Sequence, residues 1–308
     1  MIICCGEALI DMLPRQSAAG EKVFLPCAGG AVFNTAIALG RLGNKVEFFS
    51  GISSDFFGEQ LLSTLESSNV GQRYVVRSGQ PTTLAFVTLN NGQAQYAFYD
   101  ENTAGRLLSE QDLPVFDRAT PPSALYFGAI SLIPEPCGSA YEALMRREHR
   151  HCVTMLDPNI RPGFIPDPEA HKARLLRMIA MADIVKFSDE DLAWFGRGDD
   201  ADAAASFLAE GPSVVLLTRG GEGATALTRR GQVEVAVPSV TVADTVGAGD
   251  TFNAGFLAAL DDAGLLTKEQ VAALDEAALR EALDMGVRVA AVTVSRPGAN
   301  PPYRRELA

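Results

Sequence analysis

The stretch Asp244–Phe252 reads DTVGAGDTF and is followed by the apolar run NAGFLAALDDAG. Phe252, Phe256 and Leu260 recur four residues apart, the spacing of one buried face of an α-helix. The amides of residues 247–250 therefore lie at or just before a helix N-terminus, where unpaired N–H groups and the positive end of the helix dipole converge. The small side chains there let an anion approach the backbone closely, so the stretch predicts an anion hole.

Asp250 stands among these amides, and two interpretations fit its position. A carboxylate in the first turn of a helix interacts favourably with the dipole and needs no other role. Alternatively, the dipole keeps Asp250 ionised beside a bound phosphoryl group, where it orients a substrate hydroxyl and accepts its proton. Spacing alone leaves both interpretations open.

Outward from this stretch, short apolar runs alternate with amphipathic helical runs along most of the chain. The N-terminal run MIICCGEALI is interpreted as the first strand, with Asp11 at its end, and NTAIALGRLG as the first helix. Such alternation predicts βαβ units and a parallel sheet. Most of the predicted strands are apolar throughout, as a sheet covered on both faces requires. We therefore expect an α/β fold.

Two stretches, DMLPRQSAAGEKVFLPCAGG and PTTLAFVTLNNGQAQYAFYD, interrupt the alternation and show no helical pattern. In the second, Asn91–Gly92 separates two runs rich in β-formers, which predicts a hairpin, and Tyr96 and Phe98 fall on one face of its second run. We expect both stretches to form a small β-sheet beside the main one. That sheet would either cap an active site or make an oligomer contact.

Composition narrows the function. The chain has 308 residues, with 26 Lys and Arg against 38 Asp and Glu, so its formal net charge is −12. Such a chain is a poor general binder of nucleic acid or of an anionic membrane. The five cysteines match no zinc or disulfide spacing and are expected to be free thiols. No signal peptide or membrane span is apparent, and the cytoplasm is the expected location.

A second glycine-rich stretch argues against a dehydrogenase. Gly221, Gly223 and Ala226 match the pattern G-x-G-x-x-A after the strand-like run VVLLT. A dinucleotide site needs a helix next, but ATALTRRGQVEVAV predicts a hairpin that turns at Arg230–Gly231. No G-x-x-x-x-G-K-[ST] motif of the P-loop is present either. A nucleotide contact through the backbone of residues 218–221 stays open.

Taken together, these stretches resemble the PfkB, or ribokinase-like, family of carbohydrate kinases over the range from Cys5 to Pro302. DTVGAGDTF matches the family pattern D-T-x-G-A-G-D, and AGGAVFNTAIALGRLG (Ala28–Gly43) is similar to its glycine-rich sugar-binding segment. Further motifs follow in the family's order: GEALIDM, LAFVTL, YAFYDENTA, DPNIRP, VKFSDEDL, LLTRGGEGA and VSRPGANPP. Among family members, the combination most resembles bacterial fructokinases.

The resemblance implies a ribokinase-like three-layer α/β/α sandwich with a mostly parallel central sheet. It implies one domain over residues 1–308, with lid segments at about 12–27 and 81–100. The implied activity is the ATP-dependent phosphorylation of fructose to fructose 6-phosphate, with Mg²⁺ and K⁺ as cofactors. Kinases of 2-keto-3-deoxygluconate, ribose or a nucleoside are alternatives, and so is a nucleotide- or sugar-binding regulator, against which the intact Asp250 argues. A homodimer is expected by resemblance alone.

The resemblance also implies residue roles. Asp250 would be the catalytic base, next to an anion hole of Gly247, Ala248 and Gly249. The sugar would be bound by Asp11, Gly29, Gly30, Asn34, Phe98 and Arg161. The nucleotide would be bound by the backbone of Thr218, Arg219, Gly220, Gly221 and Gly223, with an adenine wall from Val292–Gly298. Asn159 would lie near the transferring phosphate. The monovalent cation would be bound by Asp244 and Val246, with carbonyls near Val294–Gly298.

Two departures from the family pattern affect these roles. The magnesium-linked motif N-x-x-E falls on SDED, so Ser188 stands in place of Asn and Asp191 in place of Glu, with Glu190 beside it. Glu190 and Asp191 are therefore the candidates for holding magnesium through water. Phe33 is bulky for its place in the glycine-rich segment and is expected to alter the shape of the sugar pocket.

Overall fold

Three sheets are present in the computed structural model, which describes residues 1–90 and 93–307 and the side chains of all of these except 87–90 and 93–96. The strands in this part of the chain are β1 (Ile2–Cys5), β2 (Leu9–Gln16), β3 (Lys22–Gly29), β4 (Val46–Phe49), β5 (Gly51–Ser53), β6 (Val70–Gly71), β7 (Val76–Ser78), β8 (Leu84–Asn90), β9 (Gln93–Tyr99), β10 (Ala124–Gly128), β11 (Val153–Asp157), β12 (Ile184–Ser188), β13 (Val214–Thr218), β14 (Ala224–Thr228) and β15 (Gly231–Val235). The predicted turn at Asn91–Gly92 and the side chain of Tyr96 lie outside the described residues.

The main sheet has nine strands in the order β15-β14-β13-β12-β11-β10-β1-β4-β6. Neighbours from β6 to β13 are parallel, and only β14 and β15 add antiparallel edges. The helices among the described residues are α1 (Ala31–Arg41), α2 (Phe56–Ser67), α3 (Cys137–Glu148), α4 (Pro168–Ile179), α5 (Asp189–Phe195), α6 (Ala201–Ser206), α7 (Ala248–Asp262), α8 (Lys268–Ala273) and α9 (Glu276–Val294). The mostly parallel sheet is confirmed.

Apolar cores cover the main sheet on both faces. Along β1, Ile2 and Cys4 join one core, and Ile3 and Cys5 join the other, because successive strand side chains point to opposite faces. Helices α1, α7 and α9 contribute to the first core, whereas α3 to α6 contribute to the second. The result is the three-layer α/β/α arrangement that the sequence predicts. No helix of residues 1–90 and 93–307 is long and apolar enough to cross a membrane.

The first strand is shorter than the sequence predicts. β1 ends at Cys5, and β2 begins at Leu9 in a different sheet, so Asp11 lies on β2 rather than at the end of the first strand. Gly6 marks the break, since a Cβ at this position would lie 2.4 Å from Cγ2 of Val32. In the sequence only Gly6 and Glu7 mark this break, because the residues on both sides of it are apolar and buried.

The lid sheet has four strands in the order β3-β2-β8-β9. β2 pairs with β3 and β8 pairs with β9 in antiparallel register, so the predicted hairpin strands are confirmed. The two hairpins meet where β2 runs parallel to β8, which aligns Asp11 with Ala85. The lid strands begin at Leu9 and end at Tyr99, and the single-domain organisation stays a prediction.

Candidate active site

Helix α7 begins within the stretch DTVGAGDTF, residues Asp244–Phe252. Its N-cap is Gly247, which has φ 78° and so adopts a left-handed conformation that favours glycine. A Cβ at Gly247 would also lie 2.7 Å from Cβ of Ala299. The helix ladder starts with the bond from the Thr251 amide to the Gly247 carbonyl, at 2.9 Å. The amides of Gly249 and Asp250 precede this ladder, as an anion hole requires.

Two cavities meet at the N-terminus of α7. The first, of about 280 Å³, is the polar one, and the second, of about 540 Å³, has a mainly apolar wall. Both are lined by Thr245, Ala248 and Gly249, so a single turn of backbone separates them. We call them the polar cavity and the apolar cavity. The arrangement suits two substrates that react across one loop.

Most of the predicted sugar-binding residues line the polar cavity, together with Asp250. These are Asp11, Gly30, Asn34, Phe98 and Arg161. Asn159 lines it as well, whereas Gly29 stands behind Asp11. Residues that lie far apart in the sequence are thus brought to one chamber between α7 and the lid.

Asp250 is 7% exposed and held by helix α1. Nδ2 of Asn34 donates to its Oδ2 at 2.9 Å, and the Thr35 hydroxyl donates to its backbone carbonyl at 3.0 Å. Burial raises the pKa of Asp250 to about 6, although the hydrogen bond from Asn34 opposes this shift. The sequence predicts that the helix dipole keeps this carboxylate ionised, but burial has the larger effect. Asp250 is nevertheless mostly ionised at neutral pH and can accept a proton.

Asp11 reaches the polar cavity from the lid. Its Oδ2 would lie 2.1 Å from a Cβ on Gly29, so any larger residue at this position of β3 would require the Asp11 carboxylate to move. Burial, together with the charge of Asp250, raises the pKa of Asp11 to about 7. The lid hairpin thereby holds a second carboxylate in the chamber, where it can bind hydroxyl groups.

An aromatic contact and a cation complete the chamber. Phe98 of β9 packs against Phe164, with ring centroids 4.6 Å apart. The cation is Arg161, which lines the same cavity and whose Nη1 donates to the Ile160 carbonyl at 2.9 Å. The guanidinium works against burial and lowers the pKa of Asp250.

Sequence reasoning missed a buried lysine beside the anion hole. Lys186 of β12 is 4% exposed and lines the polar cavity, and its Nζ lies 3.2 Å from Oδ2 of Asp157. A Cβ on Gly249 would lie 3.2 Å from this Nζ. Burial acts to lower the pKa of Lys186, but neighbouring carboxylates, above all Asp157, raise it. A lysine inside the apolar run DIVKFS is the signal that could have identified it.

The pair of Lys186 and Asp157 is held in place by helix α7. Nδ2 of Asn253 donates to Oδ2 of Asp157 at 2.7 Å and to the Tyr126 hydroxyl at 3.0 Å. Asn253 lies one turn after Asp250 on α7. Strands β11 and β12 and helix α7 are thus tied together directly behind the anion hole.

The apolar cavity contains most of the predicted nucleotide contacts. Thr218, Gly220, Gly221 and Gly223 line it, whereas Arg219 does not and lies 3.9 Å from Glu222. After Gly223 the chain forms the antiparallel strands β14 and β15, as predicted, and no helix follows to make a dinucleotide site. The apolar part of the lining consists of valine and alanine residues: Val237, Val240, Val242, Val287, Ala290, Ala291 and Val294.

The two residues predicted to hold magnesium line neither cavity. Asp191 accepts the Ile160 amide at 2.7 Å with Oδ1 and the Ser188 amide at 2.8 Å with Oδ2. It thus completes a capping box with Ser188 at the start of α5. Glu190 is exposed. Within residues 1–90 and 93–307, no group of three or more His, Cys, Asp or Glu residues could hold a metal ion.

Asp244 connects the two loops predicted to form the monovalent cation site. Its Oδ1 accepts the Val246 amide at 3.0 Å, and its Oδ2 accepts the Gly298 amide at 2.9 Å. The structure therefore brings these loops together. Phe33, in contrast, does not shape the sugar pocket as expected, because it packs in the core with its ring centroid 5.7 Å from that of Phe48.

Known proteins resemble this chain in sequence and in fold. The model of the "pfkB family carbohydrate kinase" matches residues 1–305. A fructokinase of Rhizobium leguminosarum bv. trifolii is 59% identical over 285 residues, which are 92% of this chain and 87% of the relative. The structure of a Xylella fastidiosa fructokinase with bound ATP superposes with a TM-score of 0.87 and 30% identity, covering 99% of this chain and 97% of that one.

A Vibrio cholerae fructokinase, solved with fructose, ADP and potassium ion, has a TM-score of 0.85 and 25% identity. It covers 97% of this chain and 93% of its own. These structures confirm the predicted fold, including the small lid sheet.

Proposed function

The chain belongs to the pfkB family of carbohydrate kinases, and from this premise we propose that it transfers the γ-phosphoryl group of ATP to D-fructose, giving fructose 6-phosphate. The observation that carries the proposal is the meeting of two cavities at the N-terminus of α7. Sugar hydroxyls would bind in the polar cavity, and the nucleotide would bind in the apolar cavity. Both cavities are lined by Thr245, Ala248 and Gly249.

In the proposed reaction, Asp250 accepts the proton of the primary hydroxyl of the sugar. The hydroxyl oxygen then forms a bond to the γ-phosphorus, while the bond from this phosphorus to the β,γ-bridging oxygen breaks and ADP leaves. The amides of Gly249 and Asp250 and the ammonium of Lys186 stabilise the negative charge in transit. Hydrogen-bond donors that are fixed beside the transferring phosphoryl group contribute most of the catalysis of phosphoryl transfer, because this reaction depends on positioning and electrostatics.

The carboxyl groups of the polar cavity favour a neutral sugar over an acidic one, because burial already raises the pKa of Glu7 and of Asp11 to about 7. Glu7, Asp11 and Asp250 line it, against the two cations Arg161 and Lys186, and Lys186 is already paired with Asp157. A sugar acid such as 2-keto-3-deoxygluconate would bring one more carboxylate into this chamber. Fructose offers only hydroxyl groups, which carboxylates bind well.

The test is a coupled ADP-release assay over fructose, 2-keto-3-deoxygluconate, ribose, glucose and adenosine. We expect fructose to give the highest kcat/KM. A higher kcat/KM with another member of the panel would replace fructose by that substrate. If none of these compounds supports ADP release, a regulator that binds nucleotide or sugar without turnover would be favoured.

Magnesium would enter this site with ATP. When bound, it neutralises charge on the β- and γ-phosphates, and it usually keeps several water ligands. Both carboxylate oxygens of Asp191 already accept backbone amides, so its predicted role fits only a contact through water. Neither Asp191 nor Glu190 is a direct ligand in our proposal.

Potassium is proposed to act through the loops that Asp244 connects, because these loops continue into the anion hole. We expect turnover to fall severalfold or more when tetramethylammonium replaces potassium at constant ionic strength, since the organic cation is too large for a site between two loops. The measurement is the initial rate at saturating ATP. Equal rates in the two salts would contradict a functional cation site.

We also propose a cytoplasmic location and a homodimer. All five cysteines are free, and Cys27 is the only one that is not fully buried, as expected in a reducing cytoplasm. A homodimer through the lid is proposed because apolar side chains of the lid are exposed. Val23, Phe24, Leu25 and Tyr99 are 40%, 45%, 47% and 63% exposed.

A further inference from the structure

We infer that Glu7 is a positioning residue, which caps helix α1 from outside the helix and thereby fixes Asn34 and the carboxylate of Asp250. The inference rests on the proposed function, in which Asp250 is the base. It concerns the short connection, residues 6–8, between the first strand of the main sheet and the first strand of the lid.

Helix α1 lacks a cap of its own. Its N-cap is Gly30, which has no side chain to accept the first amides and has φ 111°. Oε1 of Glu7 accepts the Ala31 amide at 2.7 Å and the Val32 amide at 3.3 Å. A carboxylate at a helix N-terminus both satisfies these donors and complements the dipole. Glu7 therefore does from a distance what Ser, Thr, Asp or Asn does in an ordinary N-cap.

The same turn of α1 carries the side chains that hold Asp250. Asn34 donates to Oδ2 of Asp250, and Thr35 donates to its carbonyl. Asn34 lies three residues after Ala31, so a displacement of the helix start moves both donors. Glu7, Asn34 and Asp250 are all less than 9% exposed, and all three line the polar cavity.

The contact depends on side-chain length. A Cβ on Gly30 would lie only 2.9 Å from the Glu7 carbonyl oxygen and 3.2 Å from its Cγ, so the backbone of Glu7 is packed directly against the helix start. Its side chain then just spans the distance to the two amides. Glutamine has the same reach and an acceptor oxygen, but aspartate is one methylene shorter.

The substitutions Glu7→Gln and Glu7→Asp therefore separate reach from charge. We expect Glu7→Gln to keep kcat within about fivefold of wild type and Glu7→Asp to lower it by about 10- to 100-fold, because small misplacements of a reacting group cost this much. The KM for ATP should stay unchanged in both, since Glu7 does not line the apolar cavity. If Glu7→Asp is the more active variant, charge rather than position is the role of Glu7.

A cycle with Asn34→Ala tests whether the effect passes through Asn34. We expect the losses of Glu7→Asp and Asn34→Ala to be strongly non-additive in kcat. Asp200→Ala is the control, because it removes the N-cap of α6, whose first amide partner is Ala203, without touching either cavity. This control should lose thermal stability but not kcat. Additive losses in the cycle, or an equal loss of kcat in the control, would overturn the inference.

A readout without substrate separates this inference from the proposed function. The side-chain amide resonance of Asn34, assigned by its disappearance in Asn34→Ala, reports the bond to Asp250. We expect Glu7→Asp to shift it and Glu7→Gln to leave it in place. If wild type fails to phosphorylate fructose, the proposed function fails, but this shift still tests the positioning role. An unmoved resonance in Glu7→Asp would refute that role whatever the substrate.

Discussion

At the residue scale, Asp250 is subject to two opposing effects. The amides at the start of α7 and the hydrogen bond from Asn34 favour its ionised form, whereas burial disfavours it. Burial prevails, so the pKa lies near 6 rather than near the ordinary value of 3.8. A base in this range is ionised at neutral pH and still basic enough to accept a proton in the transition state.

Asp250→Asn should abolish this function while preserving the fold. We expect the turnover of fructose to fall by several orders of magnitude, because asparagine cannot accept the proton. The dissociation constant for ATP, measured by calorimetry, should change little, since the apolar cavity remains. Asp261→Asn, near the far end of α7, is the matched control and should keep wild-type turnover. Near-normal turnover in Asp250→Asn would remove Asp250 from the role of base.

Activity and stability should depend on pH in opposite directions. kcat/KM should fall about tenfold per pH unit below pH 6, as Asp250 becomes protonated.

Stability should change in the other direction. A carboxyl group whose pKa is higher in the folded state than in the unfolded state stabilises the fold at low pH. For Asp250, Asp11 and Glu7 this contribution is lost as the pH rises through 6 to 7. The melting temperature of the ligand-free protein should therefore fall from pH 5 to pH 8, and less so in Asp250→Asn. A melting temperature that rises over this interval would contradict the assignment.

Lys186 offers a test that separates catalysis from structure. Lys186→Met leaves the buried Asp157 without its ion-pair partner and should be strongly destabilising. Adding Asp157→Asn removes the unpaired charge, so the double variant should recover much of the melting temperature. We expect its kcat to stay about 100-fold or more below that of Asp157→Asn alone, because the cation beside Gly249 is lost. Recovery of kcat to the level of Asp157→Asn would show that Lys186 serves only as the partner of Asp157.

At the element scale, the structure shows which features local sequence can predict. The start of α7 and the hairpin after Gly223 are predicted because glycines, turn residues and periodicity act over a few neighbouring residues. The break between β1 and β2 is missed, since burial in either sheet gives the same apolar pattern. The pair of Lys186 with Asp157 and the cap that Glu7 provides are also missed, because both join residues from separate strands and helices.

The family resemblance supplied what periodicity could not. It identified Asp11, Asn34 and Arg161 as residues of one site, and all three line the polar cavity with Asp250. Their roles in binding the sugar remain predictions. The departure at Ser188 and Asp191 has a structural reason that the sequence does contain, since S-x-x-D before an apolar run is a helix-capping pattern.

The lid hairpin provides a prediction at this scale. Gly29→Ala would place a methyl group 2.1 Å from Oδ2 of Asp11, so the carboxylate or the β2–β3 pairing must shift. We expect the KM for fructose to rise by about tenfold or more, while the KM for ATP stays near its wild-type value. Gly20→Ala, at the tip of the same hairpin, has no atom within 4 Å of the added carbon and serves as control, although its φ of 81° costs some stability. An unchanged KM for fructose in Gly29→Ala would argue against a sugar contact of Asp11.

At the scale of the whole molecule, the lid has two faces with different surroundings. One face carries Asp11 and Phe98 into the polar cavity. The strand β3 at its edge exposes Phe24 and Leu25, and Phe24 packs edge-on against Phe86 of β8, with ring centroids 5.1 Å apart. A row of exposed apolar side chains beside an unpaired strand edge is typical of an interface.

Phe24→Glu should therefore separate two copies of the chain. We expect wild type to elute at twice the 32.7 kDa of the chain in size-exclusion chromatography with light scattering, and Phe24→Glu at the monomer mass. A glutamate at the interface would bury an unpaired charge among apolar side chains, and the chain already carries a net charge of −12. Val115→Glu changes an apolar side chain that is 83% exposed and lies outside the lid, so it should remain dimeric. A monomeric wild type, or a dimeric Phe24→Glu, would show that the exposed lid face does not join two copies. In that case its only role would be to hold Asp11 and Phe98 over the sugar.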